Sequence, residues 1–169
     1  MLNSYHTKKL IEAGCDEAGR GCLAGPVVAA AVILPPNFKH PLIADSKKMH
    51  HEQRLEAREV IIKGAINYAV GVLSEREIDR VNIHNASYLA MHQALDQLAI
   101  RPQHIIIDGN RFIPYHDIAY TCVVKGDDKY LSIAAASILA KTHRDELMVG
   151  SPIKVIPLLN IEKPLWSME

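Results

Sequence analysis

The segment Val27 to Leu34, which reads VVAAAVIL, constrains the fold more than any other stretch of the chain. Every residue in it is apolar, most are small or β-branched, and it lacks both the alternation of a half-exposed strand and the length of a helix. Such a run is a strand covered on both faces, which calls for helices on either side of a sheet. Pro35-Pro36 ends it, and Gly19, Gly21 and Gly25 punctuate the approach to it. Extended back to Cys22, the near-apolar stretch still falls well short of the ~20 residues of a membrane span.

Further strands are expected at Ile11 to Cys15, Ile66 to Leu73, His104 to Asp108 and Ile118 to Val124. Helices are expected at His51 to Ala65, at Glu75 to Val81, opened by the capping-box pair Ser74 and Glu77, and at His84 to Ala99, closed by Pro102. A last helix, Tyr130 to Leu147, carries Ala134-Ala135-Ala136-Ser137 in its middle, side chains small enough for close packing on a sheet. Strands first, then helices alternating with strands, give an α/β fold with a central mixed β-sheet flanked by α-helices. The 169 residues fit one compact domain.

Nineteen basic and nineteen acidic side chains give no formal net charge, which excludes a polycation that holds nucleic acid by bulk charge. The first ten residues have no apolar signal core, and Cys15, Cys22 and Cys122 form no CxxC pair. A reduced, cytoplasmic protein with no membrane segment is the expectation. There are nine histidines, but no HExxH and no Cys/His finger spacing; they read as scattered surface residues, and zinc chemistry is not expected. Neither a GxSxG elbow nor a Walker-type phosphate loop occurs.

Acidic residues stand out by their setting. Asp16-Glu17 follows a hydrophobic strand and precedes Gly19-Arg20-Gly21, Asp108 ends a strand before Gly109, and Asp127 follows Lys125-Gly126 after another. A lone Asp at a strand end is commonly a turn or cap residue, and one of Asp127-Asp128 is expected to cap the following helix. Three such cases beside glycines are a different matter. If the strands are neighbours, the carboxylates converge, repel one another and require a cation, and all-oxygen donors suit Mg²⁺ or Mn²⁺.

Cys15-Asp16-Glu17-Ala18-Gly19-Arg20-Gly21-Cys22-Leu23-Ala24-Gly25-Pro26-Val27 resembles the opening signature of type 2 ribonuclease H, ribonuclease HII. Asp45-Ser46-Lys47-Lys48, Ile107-Asp108-Gly109, and Lys125-Gly126-Asp127 with Ser132 to Lys141 and Arg144-Asp145 resemble its later motifs, in register from about residue 9 to Met148. The resemblance implies an RNase H-like fold and an endonuclease that cuts the RNA strand of RNA–DNA hybrids and duplex DNA at embedded ribonucleotides. It implies two divalent ions, Mn²⁺ or Mg²⁺, held by Asp16, Glu17, Asp108 and Asp127, and ends left as 5′-phosphate and 3′-hydroxyl. Asp145 is a rival for the fourth place, but along one helix it would lie roughly 27 Å from Asp127 at ~1.5 Å per residue. The resemblance further makes Gly19-Arg20-Gly21 the reader of the 2′-hydroxyl, with Ser46, Lys47 and Asn82 on phosphates. For those last three a turn, a solvated lysine and a helix cap are equally good readings. A monomer is expected, with a ribonucleotide-containing duplex as its partner.

The match stops at the end. Residues 1–148 are read as the catalytic domain and 149–169 as an atypical tail. The family carries there a Lys-Gly-Tyr segment whose tyrosine senses the ribonucleotide, whereas no tyrosine follows Tyr130 here. One back-translation of Lys154 to Glu169, read in a shifted frame, gives KGYPTTEHRKAIMEYG, so the tail is read as frameshifted; sequencing the gene across codons 145–169 tests that. A second functional reading is therefore a hybrid-binding remnant without turnover, and a third is a DNA-strand nuclease on the same fold.

Overall fold

A computed structural model describes residues 1–22, 24–44 and 48–150 of the chain. Five strands form one mixed sheet: β1 (Glu12–Ala18), β2 (Val27–Ile33), β3 (Asn67–Leu73), β4 (His104–Asp108) and β5 (Ala119–Val123), in the order β3-β2-β1-β4-β5. β1 pairs antiparallel with β2 and parallel with β4; β2 and β3 are antiparallel, β4 and β5 parallel. The helices are α1 (Pro41–Ala44), α2 (His51–Gly64), α3 (Glu75–Val81), α4 (Ile83–Asp96) and α5 (Leu131–Met148).

The apolar run behaves as its composition demands. Val28, Ala30 and Val32 of β2 enter one core with Ala57 and Ile61 of α2 and Ala134, Ile138 and Leu139 of α5. Val27, Ala29, Ala31 and Ile33 enter the other, with Met91 and Leu95 of α4 and Ile105 and Ile107 of β4. All seven β2 residues are buried, because alternate side chains serve opposite layers. Among the described residues no helix is long and apolar enough to cross a membrane.

Three expectations need correction. β1 does not stop at Cys15: the ladder to β2 continues through Asp16↔Ala30, Glu17↔Ala29 and Ala18↔Val28, so the acidic pair lies inside the strand. Neither Asp127 nor Asp128 caps α5. Both sit in a 3-10 turn (Gly126–Asp128), and Tyr130 occupies the N-cap in extended conformation. The Leu131 N–H is met instead by the carbonyl of Asn3, whose own N–H donates to Lys129. The N-terminal segment thus satisfies part of the helix start. Finally, His104 and His143 are buried, not on the surface; His104 is paired with Glu12, which offsets the cost of taking both out of water.

Candidate active site

β1 and β4 run parallel and in register up to Cys15↔Ile107. Cys15 and Ile107 both face the α4 core. One residue further, Asp16 and Asp108 therefore both face the α5 side, at neighbouring strand ends. Asp16 is only 6% exposed. Its carboxyl is pushed well above the usual carboxylate range, first by burial and then by the charges of Glu17 and Asp108, while the Glu17 N–H (2.8 Å) and the Ser137 hydroxyl of α5 pull the other way. Glu17, next along the strand, is also raised by burial, opposed by the guanidinium of Arg20 at 3.4 Å. Asp108 accepts the Gly126 N–H at 2.6 Å, which brings the backbone of the turn holding Asp127 against the strand end. Its setting after three alanines predicts a packing role for Ser137; in the structure its hydroxyl also reaches the Asp16 carboxyl.

The loop that begins with Gly19-Arg20-Gly21 is held from both sides of the sheet, at Arg20 and, further along, at Ala24 and Pro26. Arg20 Nη2 donates to His84 Nδ1 of α4 at 2.5 Å, besides its contact with Glu17. From α5, Arg144 donates through Nε to the Pro26 carbonyl (3.0 Å) and through Nη2 to the Ala24 carbonyl (2.8 Å). Gly19 has φ +98, and a Cβ there would strike the Arg144 side chain and lie 2.6 Å from the Pro26 carbonyl, so only glycine fits. The sequence offers no signal for His84, and it marks Arg144 only as part of a motif without this supporting role, since both act across the fold.

Asn82 caps α4, its side-chain oxygen accepting the Asn85 N–H at 3.1 Å. Asp145 faces His51, 3.9 Å away, on the α2 side. Ser46, Lys47 and the tail from Ser151 onward lie outside the described residues.

The acidic set fits hard divalent cations: its donors are oxygens, at least two are largely buried, and their charges raise one another's proton affinity, as a gathered carboxylate group does when cation charge is its intended complement. Among the described residues, however, the group of potential metal ligands whose donor atoms all lie within 4.8 Å of one another is a different one, His6, Glu12 and His104, at the other end of β1 and β4.

The family model for ribonuclease HII matches residues 13–154. A ribonuclease HII from Bacteroides thetaiotaomicron is 66% identical over 148 residues, covering 88% of this chain and 74% of that protein. One from Porphyromonas gingivalis is 56% identical over 169 residues, 100% of this chain and 80% of that one. In structure the chain resembles the ribonuclease H2 from Pyrococcus horikoshii OT3, with a TM-score of 0.73 and 28% identity over 82% of this chain and 74% of the other. The motifs, the mixed sheet with its acidic strand ends and these similarities agree, and the chain belongs to the ribonuclease HII family of ribonuclease H hydrolases.

Proposed function

We propose that the protein cuts the RNA strand of RNA–DNA hybrids, and duplex DNA at embedded ribonucleotides, using two divalent ions held by Asp16, Glu17, Asp108 and Asp127. The observation that carries this is the placement of Asp16 and Asp108 on one face of adjacent parallel strands, with Glu17 beside them and each charge opposing the others. When bound, Mg²⁺ or Mn²⁺ supplies charge neutralisation at the scissile phosphate and a more acidic attacking water. The chain supplies position. Ser137 and the Glu17 N–H hold Asp16, Arg20 holds Glu17, and the Gly126 N–H holds Asp108. Rigid strand ends then keep the donors in place through the reaction, so no reorganisation is needed as charge develops.

Selection of RNA rests on the 2′-hydroxyl, the one local difference on the sugar. The Gly19-Arg20-Gly21 segment lies one residue after Asp16-Glu17; Arg20 is tied to Glu17 and His84, and Arg144 packs beside Gly19 while holding the carbonyls of Ala24 and Pro26 further along the same loop, which suits the segment to contact that hydroxyl. The products carry 5′-phosphate and 3′-hydroxyl ends, and the protein acts as a monomer.

The test is a duplex carrying a single ribonucleotide, incubated with the protein and Mn²⁺ or Mg²⁺. Cleavage 5′ to the ribonucleotide, lost in Asp16→Asn and absent on an all-DNA duplex, is expected. Binding without cleavage by the unaltered chain would overturn the catalytic reading, and cutting of the all-DNA control would overturn the substrate.

Arg144 gives a separate expectation. Arg144→Met removes two hydrogen bonds to the loop but no carboxylate. Its kcat/KM on the ribonucleotide substrate should fall by about tenfold, mainly through KM, with the metal dependence of the rate unchanged. Steady-state kinetics at varied substrate and varied Mn²⁺ separate the two.

A further inference from the structure

We propose that His6, Glu12 and His104 form a second metal site, distinct from the acidic centre and selective for a transition ion of the zinc class. Glu12 and His104 are register partners at the start of β1 and β4, whereas Asp16 and Asp108 lie at the other end of the same strands. Asp16 lies four positions along the strand from Glu12, about 13 Å at ~3.3 Å each.

Each of the three side chains offers a donor atom, and these atoms all lie within 4.8 Å of one another. His104 Nδ1 is 2.8 Å from Glu12 Oε2, and the His6 ring stacks on that of His104 at 5.5 Å between centroids and 25° between planes. Glu12 is pinned, since Oε1 accepts the His6 N–H (2.7 Å) and Oε2 the Thr7 N–H (2.9 Å); Oε1 keeps a lone pair, and the second lone pair of Oε2 faces His104 Nδ1. His104 is oriented through its other nitrogen, with Nε2 3.0 Å from Thr121 Oγ1. A ligating imidazole is characteristically held in this way by a partner on its far nitrogen. The Thr7 hydroxyl completes the surroundings, 3.1 Å from His6 Nδ1 and 3.5 Å from His104 Nδ1.

An ion pair between Glu12 and His104 accounts for two of these groups but not for the third. His6 is delivered by the same backbone N–H that anchors Glu12, and its ring is aligned on His104 with its outer side in solvent. Glu12 and His104 are 7% and 6% exposed, so the group has two fixed buried donors and one exposed donor through which an ion enters. Two imidazoles and one carboxylate select Zn²⁺, Co²⁺ or Ni²⁺ over Mg²⁺ and Mn²⁺ and leave a fourth position for water. Insertion displaces the proton between Nδ1 and Oε2 and asks those atoms to part by about 0.6 Å, since ~2.1 Å bonds in a tetrahedron place donors ~3.4 Å apart. The bound ion would fasten the N-terminal segment over the start of α5, where Asn3 meets Leu131 and His6 packs edge-on against Tyr130. Its role is therefore structural.

The experiment titrates Co²⁺ into the full chain in excess Mg²⁺, which occupies the acidic centre, and follows the visible absorption of the bound ion and its displacement by Zn²⁺. One Co²⁺ per chain is expected, displaced by Zn²⁺ but not by further Mg²⁺, with affinity at least tenfold weaker in His6→Ala. Because His6 is exposed, that variant should keep the melting temperature of the metal-free protein while losing most of the Zn²⁺-induced rise. His104→Gln gives the buried counterpart. No Co²⁺ signal under excess Mg²⁺, or binding by His6→Ala as tight as by the unaltered chain, would overturn the site.

Discussion

Asp16→Asn is expected to abolish hydrolysis and, in the same molecule, to raise the stability of the metal-free protein. The first effect follows from its place: a buried carboxylate between Glu17 and Asp108 has no substitute as an oxygen donor, and a loss of roughly 10³-fold or more in kcat is the scale for removing a central electrostatic group. The second follows from the same burial. Asn keeps the shape, its Oδ1 can still accept the Glu17 N–H and its amide can still hydrogen-bond the Ser137 hydroxyl, but it carries no charge to desolvate and none to repel its neighbours. A gain of about 1–2 kcal/mol, or roughly 2–8 °C in melting temperature for a chain of this size, is expected with chelator present.

The pH dependence fixes the sign. Burial and the neighbouring charges raise the folded-state proton affinity of Asp16, whereas in the unfolded chain it titrates at about 3.9. Below that value both states are protonated and the site costs nothing. As pH rises, the unfolded state gives up its proton first, so the folded state loses stability until its own raised pKa is passed. The advantage of Asp16→Asn should therefore be absent near pH 3 and grow towards neutrality, and Mn²⁺ should stabilise the unaltered chain more than the variant. Thermal melts of both proteins across pH, with and without Mn²⁺, measure this. An unaltered chain more stable than Asp16→Asn at neutral pH without metal would mean that the carboxylate cluster is not under electrostatic strain.

Local chemistry decided what the sequence disclosed. β2 was legible because a strand buried on both sides has no room for polar residues, so its composition alone marks it. α3 was legible because Ser74 and Glu77 form a capping box within four residues, and the structure shows Glu77 accepting from both the N–H and the hydroxyl of Ser74. The carboxylates were visible because each follows an apolar run and most have glycine close by. What escaped depended on partners far along the chain. Polar residues at Asp16 and Glu17 look like a strand end, yet the ladder to β2 carries β1 onward to Ala18. Nothing near Glu12 announces His104, ninety-two residues away, or turns a scattered histidine into a buried one. Asp127 and Asp128 have cap chemistry, but Asn3, brought from the other end of the chain, performs part of that task. Arg144 and His84 support the glycine-rich loop across the sheet, by contacts that no local pattern encodes.

Gly14→Ala and Gly71→Ala should destabilise the fold by similar amounts and differ in what they do to activity. Both glycines lie where a helix crosses the sheet with no space for a side chain. A Cβ on Gly14 would strike the backbone and hydroxyl of Ser132 and lie 2.6 Å from the Ile133 nitrogen, in the first turn of α5. A Cβ on Gly71 would strike the Ala90 carbonyl and lie 2.8 Å from the Ala94 nitrogen, on α4. The obstacles are chiefly helix backbone, so relief requires moving a whole helix, and overpacking of this kind costs about 3 kcal/mol, or roughly 6–12 °C in melting temperature. The consequences then separate. α5 carries the Ser137 hydroxyl that holds Asp16 and follows directly on the turn holding Asp127, so lifting it from β1 disturbs two of the four carboxylates. The contact at Gly71 is on β3, at the sheet edge two strands from β1, and touches none of them. Per folded molecule, Gly71→Ala should therefore keep near-normal cleavage well below its melting temperature, while Gly14→Ala should lose at least tenfold. Melting curves paired with cleavage rates at low temperature distinguish the two, and equal activity losses in both variants would show that the site does not depend on how closely α5 is seated.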